Sequence, residues 1–449
     1  MGAPDIYSGN PIDALIDFAL IAVAFVIVSR RIASWQPVVA RNSLLFLLLG
    51  FFLLSLVWSP YPFVAFKRWF REFGGVFIAL LVVTESNPGD AFRRVAVRCA
   101  YILFPLSVVL ARYFPGLGRE YSRAGGTMFT GVTQQKNSLG LICCVFALAL
   151  VWEILVLRKQ REEGNVPRAI PQWLVLLMGL WLLFSSSSQT SITVLLLGVA
   201  LLFSTYIGVI RRHAVTWARW CIFAVTFGLI LATVATAIFT PLLEFMGRDA
   251  TFTERTTIWN FVLSRDVNFF VGTGFYSFWL LYGRTTDLNF FVGSGSAHNG
   301  YLEIYLDGGI IGSSLLILFL LVTALKLAKG FSHEDPFRRV IFALVIMLIV
   351  ANYTETHVLR LNVLWFAVVF ASFIPGRLLA EANVRARWER FPRVGSLRRT
   401  GSGAPLQKPG EPKIPEPATL ARRGVMPVRL IGRGTGLHGQ RLKRGQESE

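Results

Sequence analysis

Cysteine is scarce in this chain: Cys99, Cys143, Cys144 and Cys221 are the only four in 449 residues. All four lie inside or at the edge of apolar runs, and none has metal-ligand spacing. This argues against a disulfide framework or a cysteine metal centre, and for small hydrophobes in helix packing. Acidic residues are few as well, with 26 Asp and Glu against 45 Lys and Arg. The first apolar run, residues 12–29, has no basic segment before it and no small-residue cleavage site after it. It reads as a retained span, not a signal peptide. The apolar runs hold few charges and show no clear internal repeat. A transporter would favour charges within its spans and internal repeats, so that class is the weaker one.

What the chain has in abundance is apolar sequence, at 54% hydrophobic residues and a mean hydropathy of +0.55. Runs long enough to cross a bilayer as helices, about 17–25 residues, recur along it. The fold class is therefore all-α, a polytopic integral membrane protein. About eleven spans are expected, with ten to twelve as the range and boundaries good to a few residues. They cover residues 12–29, 43–58, 73–84, 95–112, 138–157, 171–188, 190–210, 217–240, 310–328, 337–352 and 361–379. The third is short enough to start earlier or to be re-entrant.

Four regions follow: N-terminal transmembrane helices over 1–240, a large outer loop over 241–309, C-terminal transmembrane helices over 310–380 and a tail over 383–449. The tail carries 15 Lys or Arg and 5 Asp or Glu and is rich in Pro and Gly. Such a composition reads as disordered. A basic tail beside a membrane points to the cytoplasmic side and to anionic lipid headgroups. Nucleic acid is not an expected partner, because no folded recognition module accompanies the charge. With the tail inside, Arg30, Arg31, Arg93, Arg94, Arg338 and Arg339 fall in inner loops, as the positive-inside rule requires. Some outer segments are basic nevertheless, through Lys67, Arg68, Arg71, Arg123, Lys136 and Arg255. An anionic ligand at the outer face would account for them; side chains that bind lipid phosphate are the plainer reading for any one of them.

Three stretches carry chemistry. In the outer loop, Thr251 or Thr253 can cap a short helix with Arg255, Trp259 and Val262 on one face. Gly272 to Gly274 form a tight turn. Ser296 can cap a second short helix, with His298 in its first turn, and Gly308 and Gly309 permit a sharp break before the span that starts at Ile310. The helix N-terminus and nearby arginines disfavour added positive charge, which would leave a neutral imidazole able to take a proton. Spacing alone favours an ordinary interfacial histidine. Lys136 and Asn137 open the helix after an outer loop, where a helix N-terminus, an ammonium and an amide suit phosphate oxygens. The hydroxyl-rich turn from Phe184 to Gly198 joins two spans as a tight hairpin.

Together these stretches resemble the Wzy_C region of the O-antigen ligase and Wzy polymerase superfamily. His298, Asn299, Leu302, Leu306, Gly309 and Gly312 match its histidine–amide–short helix–glycine pattern. Arg255 stands where the family carries an arginine before a tryptophan. Gly131, Lys136, Asn137 and Gly140 are similar to its Gly…Lys-Asn…Gly motif. The resemblance spans roughly residues 58–371. Many members carry a Ser-Arg pair where this chain has Ser188, Gln189, Thr190 and Ser191, a version closer to exopolysaccharide polymerases of the ExoQ type.

The resemblance implies a GT-C-like membrane glycosyltransferase of the bacterial inner membrane, with its site on the periplasmic side. The donor would be a glycan on undecaprenyl pyrophosphate. The acceptor would be a hydroxyl of another lipid-linked repeat in a polymerase, or of a lipid A core sugar in a ligase. Neither metal nor other cofactor is implied; partners are the two glycans, membrane lipids and other polysaccharide-assembly proteins. His298 would be the general base. Arg255, Lys136, Asn137, Arg123, Arg68 and Arg71 would hold pyrophosphate.

Overall fold

The computed structural model describes residues 11–121, 126–164, 169–245, 253–282 and 296–375. Arg123 and the basic tail lie outside them. Helices α1 (Pro11–Ser29), α2 (Ile32–Ala40), α3 (Ser43–Leu54), α4 (Pro62–Val83) and α5 (Pro88–Tyr113) come first. A four-residue turn of helix, α6 (Pro115–Gly118), leads into an antiparallel pair, β1 (Arg119–Tyr121) and β2 (Thr127–Phe129), that sets Glu120 opposite Met128. There follow α7 (Lys136–Glu162), α8 (Ile170–Ser185), α9 (Gln189–Ser204), α10 (Gly208–Arg212), α11 (Ala214–Phe245), α12 (Thr253–Leu263) and α13 (Phe278–Tyr282). The described chain ends with α14 (Gly300–Ala328), α15 (Pro336–Thr354) and α16 (Val363–Phe373).

Local chemistry sets the helix starts. Asn87, Asn299, Asp335 and Asn362 each precede a helix and accept from its first-turn amides, for example Asn362 Oδ1 from the Leu364 and Trp365 N–H groups at 3.1 and 3.0 Å. Pro62, Pro88 and Pro336 occupy the first helical position, where the missing N–H costs nothing.

Among the described residues, six helical segments are long and apolar enough to cross a membrane: Ile12–Ser29, Pro88–Tyr113, Lys136–Glu162, Ala214–Thr236, Gly300–Ala328 and Pro336–Thr354. Four shorter apolar helices accompany them. The protein is thus a multi-pass membrane protein. α7 and α15 form its centre: α15 packs on α9, α14, α16 and α7, and α7 on α8, α5 and α9. The peripheral α1 and α11 leave most of their apolar surface unburied, as helices against lipid do.

Two elements differ from the sequence reading. The third expected span, 73–84, is the second half of a 22-residue helix that begins at Pro62. Its first half carries Lys67, Arg68, Arg71 and Glu72 and so escapes an apolar-run criterion. Arg338 and Arg339, expected in a solvated inner loop, are buried at 0% and 2% exposure in the first turn of α15. Arg339 donates to the Leu202 carbonyl (2.8 Å) and to Thr205 Oγ1 (3.1 Å). Arg338 donates to the Pro375 carbonyl at 2.7 Å and faces Asp335 at 3.1 Å. Both donate to carbonyls at or just beyond helix C-termini, where intrahelical partners run out.

The break expected at the double glycine is present. Gly309 has φ 59° and ψ −159° inside the run Gly300–Ala328, so two helices meet at a kink. The turn at Gly272–Gly274 seats itself there. Thr273 and Gly274 N–H groups donate to the Leu306 and Asp307 carbonyls, and the Phe269 and Phe270 carbonyls accept from Ile310 and Ile311. A Cβ at Gly309 would lie 2.3 Å from the Phe270 carbonyl carbon, so only glycine allows this approach. A small second core forms beside it from Ile258, Val262, Phe278, Trp279, Ala297 and Leu306.

Candidate active site

At one end of the bundle, six segments surround a cavity of about 650 Å³, one of them, α5, through the apolar Leu103 alone. Arg68, Arg71 and Glu72 come from α4, and Gln135, Asn137 and Ser138 from the start of α7. Tyr276 comes from the turn before α13 and His298 from the approach to α14. The α15–α16 connection contributes Glu355, Thr356, His357 and Arg360. Residues distant in sequence thus share one polar space.

Glu355 joins three of the candidate residues. Its Oε1 accepts from Asn137 Nδ2 at 2.7 Å and from Arg255 Nη2 at 3.1 Å. Its Oε2 lies 3.1 Å from His298 Nδ1. The carboxylate is only 8% exposed, so these contacts replace water. Sequence reasoning did not single it out. It ends α15, and its backbone carbonyl accepts from Gly300 N–H at 3.2 Å, which binds the end of α15 to the start of α14.

His298 is not in a helical first turn. Asn299 is the N-cap, accepting from Tyr301 and Leu302 N–H at 3.0 and 3.2 Å, and helix geometry begins at Gly300. Ser296, expected to cap, instead accepts from His298 N–H at 3.2 Å and contacts Thr356 Oγ1 at 3.1 Å. A carboxylate, not a helix terminus, is therefore what the imidazole faces. His298 also has a positive φ of 47°. Among the described residues, four non-glycine residues do, and His298 and Tyr276 both line the cavity.

The other candidates divide. Arg68 lies over the Tyr276 ring at 4.6 Å, and Arg71 pairs with Asp17 of α1 at 2.6 Å. Asn137 lines the cavity and Lys136 stands beside it, its Nζ 3.0 Å from Met128 Sδ. Arg255 reaches the site through Glu355, while Trp259, one turn on, donates to the Ala297 carbonyl at 2.9 Å. Arg360, which the sequence reading missed, also lies over the Tyr276 ring, 3.6 Å from its centre, and donates to Glu303 at 3.1 Å. Glu72 accepts from Leu361 N–H at 2.6 Å through one oxygen, and its other oxygen is buried without a partner. Burial pushes the His357 imidazole down to about 4, with Glu355 opposing that shift. The hydroxyl-rich turn lies behind the site: Thr190 Oγ1 is 3.0 Å from Thr354 Oγ1, next to Glu355.

Residues 173–320 match the family model of the O-antigen ligase, Wzy_C. The chain carries the O-antigen ligase family region. The match runs from α8 into α14 and takes in Arg255 and His298. It is narrower than the resemblance drawn from motifs, and Arg68, Arg71, Asn137, Glu355 and Arg360 all lie outside it. No curated protein matches the chain. The family points to a multi-pass membrane enzyme of the ligase or polymerase type.

Proposed function

We propose that the chain transfers a glycan from undecaprenyl pyrophosphate to an acceptor sugar hydroxyl, and that it polymerises exopolysaccharide or O-antigen repeat units. The observation that carries this reading is the His298–Glu355 pair, which faces a polar cavity with Arg68, Arg71 and Arg360 in its walls. With Nδ1–H donating to Glu355, the basic nitrogen of the ring is Nε2. It takes the proton of the acceptor hydroxyl as that oxygen bonds to the anomeric carbon. The bond from that carbon to the pyrophosphate oxygen breaks, and undecaprenyl pyrophosphate leaves with the electron pair. Its charge calls for cations, not an acid, and fixed cations are the strongest stabilisers of such charge. Arg68, Arg71 and Arg360 stand in the cavity wall, with Arg255, Lys136 and Asn137 adjoining; Arg123 belongs to the same set by sequence.

An apolar groove of about 610 Å³ supports the lipid-linked donor. It lies between α11 and α14, bounded by Leu229, Ile230, Ile317 and Leu320, with Trp259, Asn299 and Tyr353 at the site's edge. An isoprenoid chain fits such a lining, with its pyrophosphate toward His298. In this reading the site is periplasmic, the membrane is the inner one and the tail is cytoplasmic. The helices absent from the six long spans make up a GT-C-like set of about eleven.

The test is complementation of a polysaccharide-deficient host with wild type and His298→Ala, with membrane expression verified and lipid-linked intermediates profiled. Loss of long polymer with accumulation of single lipid-linked repeats is the expected result for the variant. Accumulation of finished chains on the carrier would instead make the protein a ligase. Wild-type polymer from a well-expressed variant would overturn the general base and favour transport of the same glycan.

A further inference from the structure

A non-glycine residue with φ near 47° is strained in its backbone and persists only where its surroundings over-determine it. His298 is held on three sides. Ser296 Oγ accepts from its N–H, and Glu355 faces its ring. The third hold comes from beneath. Glu303, on the first turn of α14 and 1% exposed, accepts from the Ala297 N–H at 2.6 Å through Oε1. That amide belongs to the residue just before His298, so its direction is coupled to the turn that aims the imidazole.

The other oxygen of Glu303 is fully engaged as well. Oε2 accepts from Trp279 Nε1 at 2.8 Å and from Arg360 Nη2 at 3.1 Å. Arg360 is itself fixed over the Tyr276 ring, with Asp307 Oδ2 at 4.0 Å. A carboxylate with all these partners cannot shift without moving several of them. We infer that Glu303 is a positioning residue for His298 and acts through the Ala297 amide. The inference rests on the reading of His298 as proton acceptor. If Glu303 stops accepting from Ala297, the strained turn relaxes and the imidazole swings away from Glu355. A misplacement of about 1 Å can cost on the order of 10²-fold in rate.

Two substitutions of nearly equal size separate this role from simple charge balance. Glu303→Gln removes the charge but keeps an oxygen for the Ala297 N–H, its NH2 then turning to the Trp279 and Arg360 donors at a cost that falls on folding stability. Glu303→Met removes both, and in either variant Arg360 keeps Asp307 as a neighbour. The chain has five histidines, so [13Cε1]-histidine NMR of the full-length protein in detergent resolves few signals, and His298→Gln assigns the one of interest. The Gln variant is expected to keep the His298 resonance, with kcat within about threefold of wild type. The Met variant is expected to displace that resonance and lower kcat at least tenfold, with KM for the lipid-linked donor within about twofold. Identical behaviour of the two variants, or an unmoved His298 resonance in the Met variant, overturns the proposal. Should Glu303→Met not yield folded protein, Glu303→Asp takes its place: it keeps a negative charge beside Arg360 but withdraws the oxygen from the Ala297 N–H, and the same two outcomes decide. If His298→Ala turns over like wild type, the base assignment falls while the resonance comparison still judges Glu303.

Discussion

The two ends of α15 both hold buried charge and use it differently. At its start, Arg338 and Arg339 engage carbonyls and Asp335, and neither lines either of the two cavities described. At its other end, Glu355 collects Asn137, Arg255 and His298 at the edge of a 650 Å³ cavity. Buried charge alone therefore does not mark function. It marks function where the paired groups also face room for a ligand, and where strain accumulates beside them, as at His298 and Tyr276.

Mutation at each end should separate activity from stability. Glu355→Ala is expected to lower transfer by at least about 100-fold, because it releases the imidazole and strands Arg255 in the same step. The measurement is polymer formation per unit of folded protein, and activity near wild type would remove Glu355 from the account. Arg339→Met at the opposite end is expected to cost about 1–3 kcal/mol of stability through the lost bonds to Leu202 and Thr205. Activity per folded molecule should stay within about twofold. Thermal melting in detergent and a turnover assay on the same sample check both halves, and an activity loss as deep as that of Glu355→Ala would erase the contrast between the ends.

Tyr276→Phe gives a finer comparison within the cavity. It removes the hydroxyl bond to the Leu359 carbonyl but keeps the ring between Arg68 and Arg360. A loss of about 1 kcal/mol in stability is expected with little change in KM. A large rise in KM would show that the hydroxyl itself meets substrate.

The smallest effect concerns His357. It stays neutral in the fold down to about pH 4, whereas an unfolded histidine takes up its proton near pH 6.5. Between those values the unfolded chain binds more protons, so this group's contribution falls as pH drops through that window. His357→Gln should flatten the acid side of the melting curve. An unchanged slope from pH 6.5 to 4 would show that the imidazole is not buried neutral.

Much of this arrangement was legible in the sequence, for reasons tied to particular residues. Long apolar runs gave α5, α7 and α15 their places because burial and lipid ask for the same residue types. Arg255, Asn137 and His298 stood out because they match the motifs of the resembled family; their spacing alone fits ordinary interfacial residues. Glu355 and Arg360 did not, because their short connection, Thr354 to Asn362, reads as a turn between two spans. Only the folded chain brings that turn against α14. The cap at Asn299 was missed because Ser296 is an equally good capping residue by type, and tertiary contact with Thr356 claims its hydroxyl instead. The length of α4 was hidden by the charges that line the cavity.

The central claim is that His298, held by Glu355, takes the acceptor proton. Its most direct test is turnover of a lipid-linked glycan by purified wild type and His298→Ala in nanodiscs, with donor binding measured on the same preparations. The account predicts that the variant binds donor within about threefold of wild type and transfers at least about 100-fold more slowly. Equal turnover by the two proteins would contradict it.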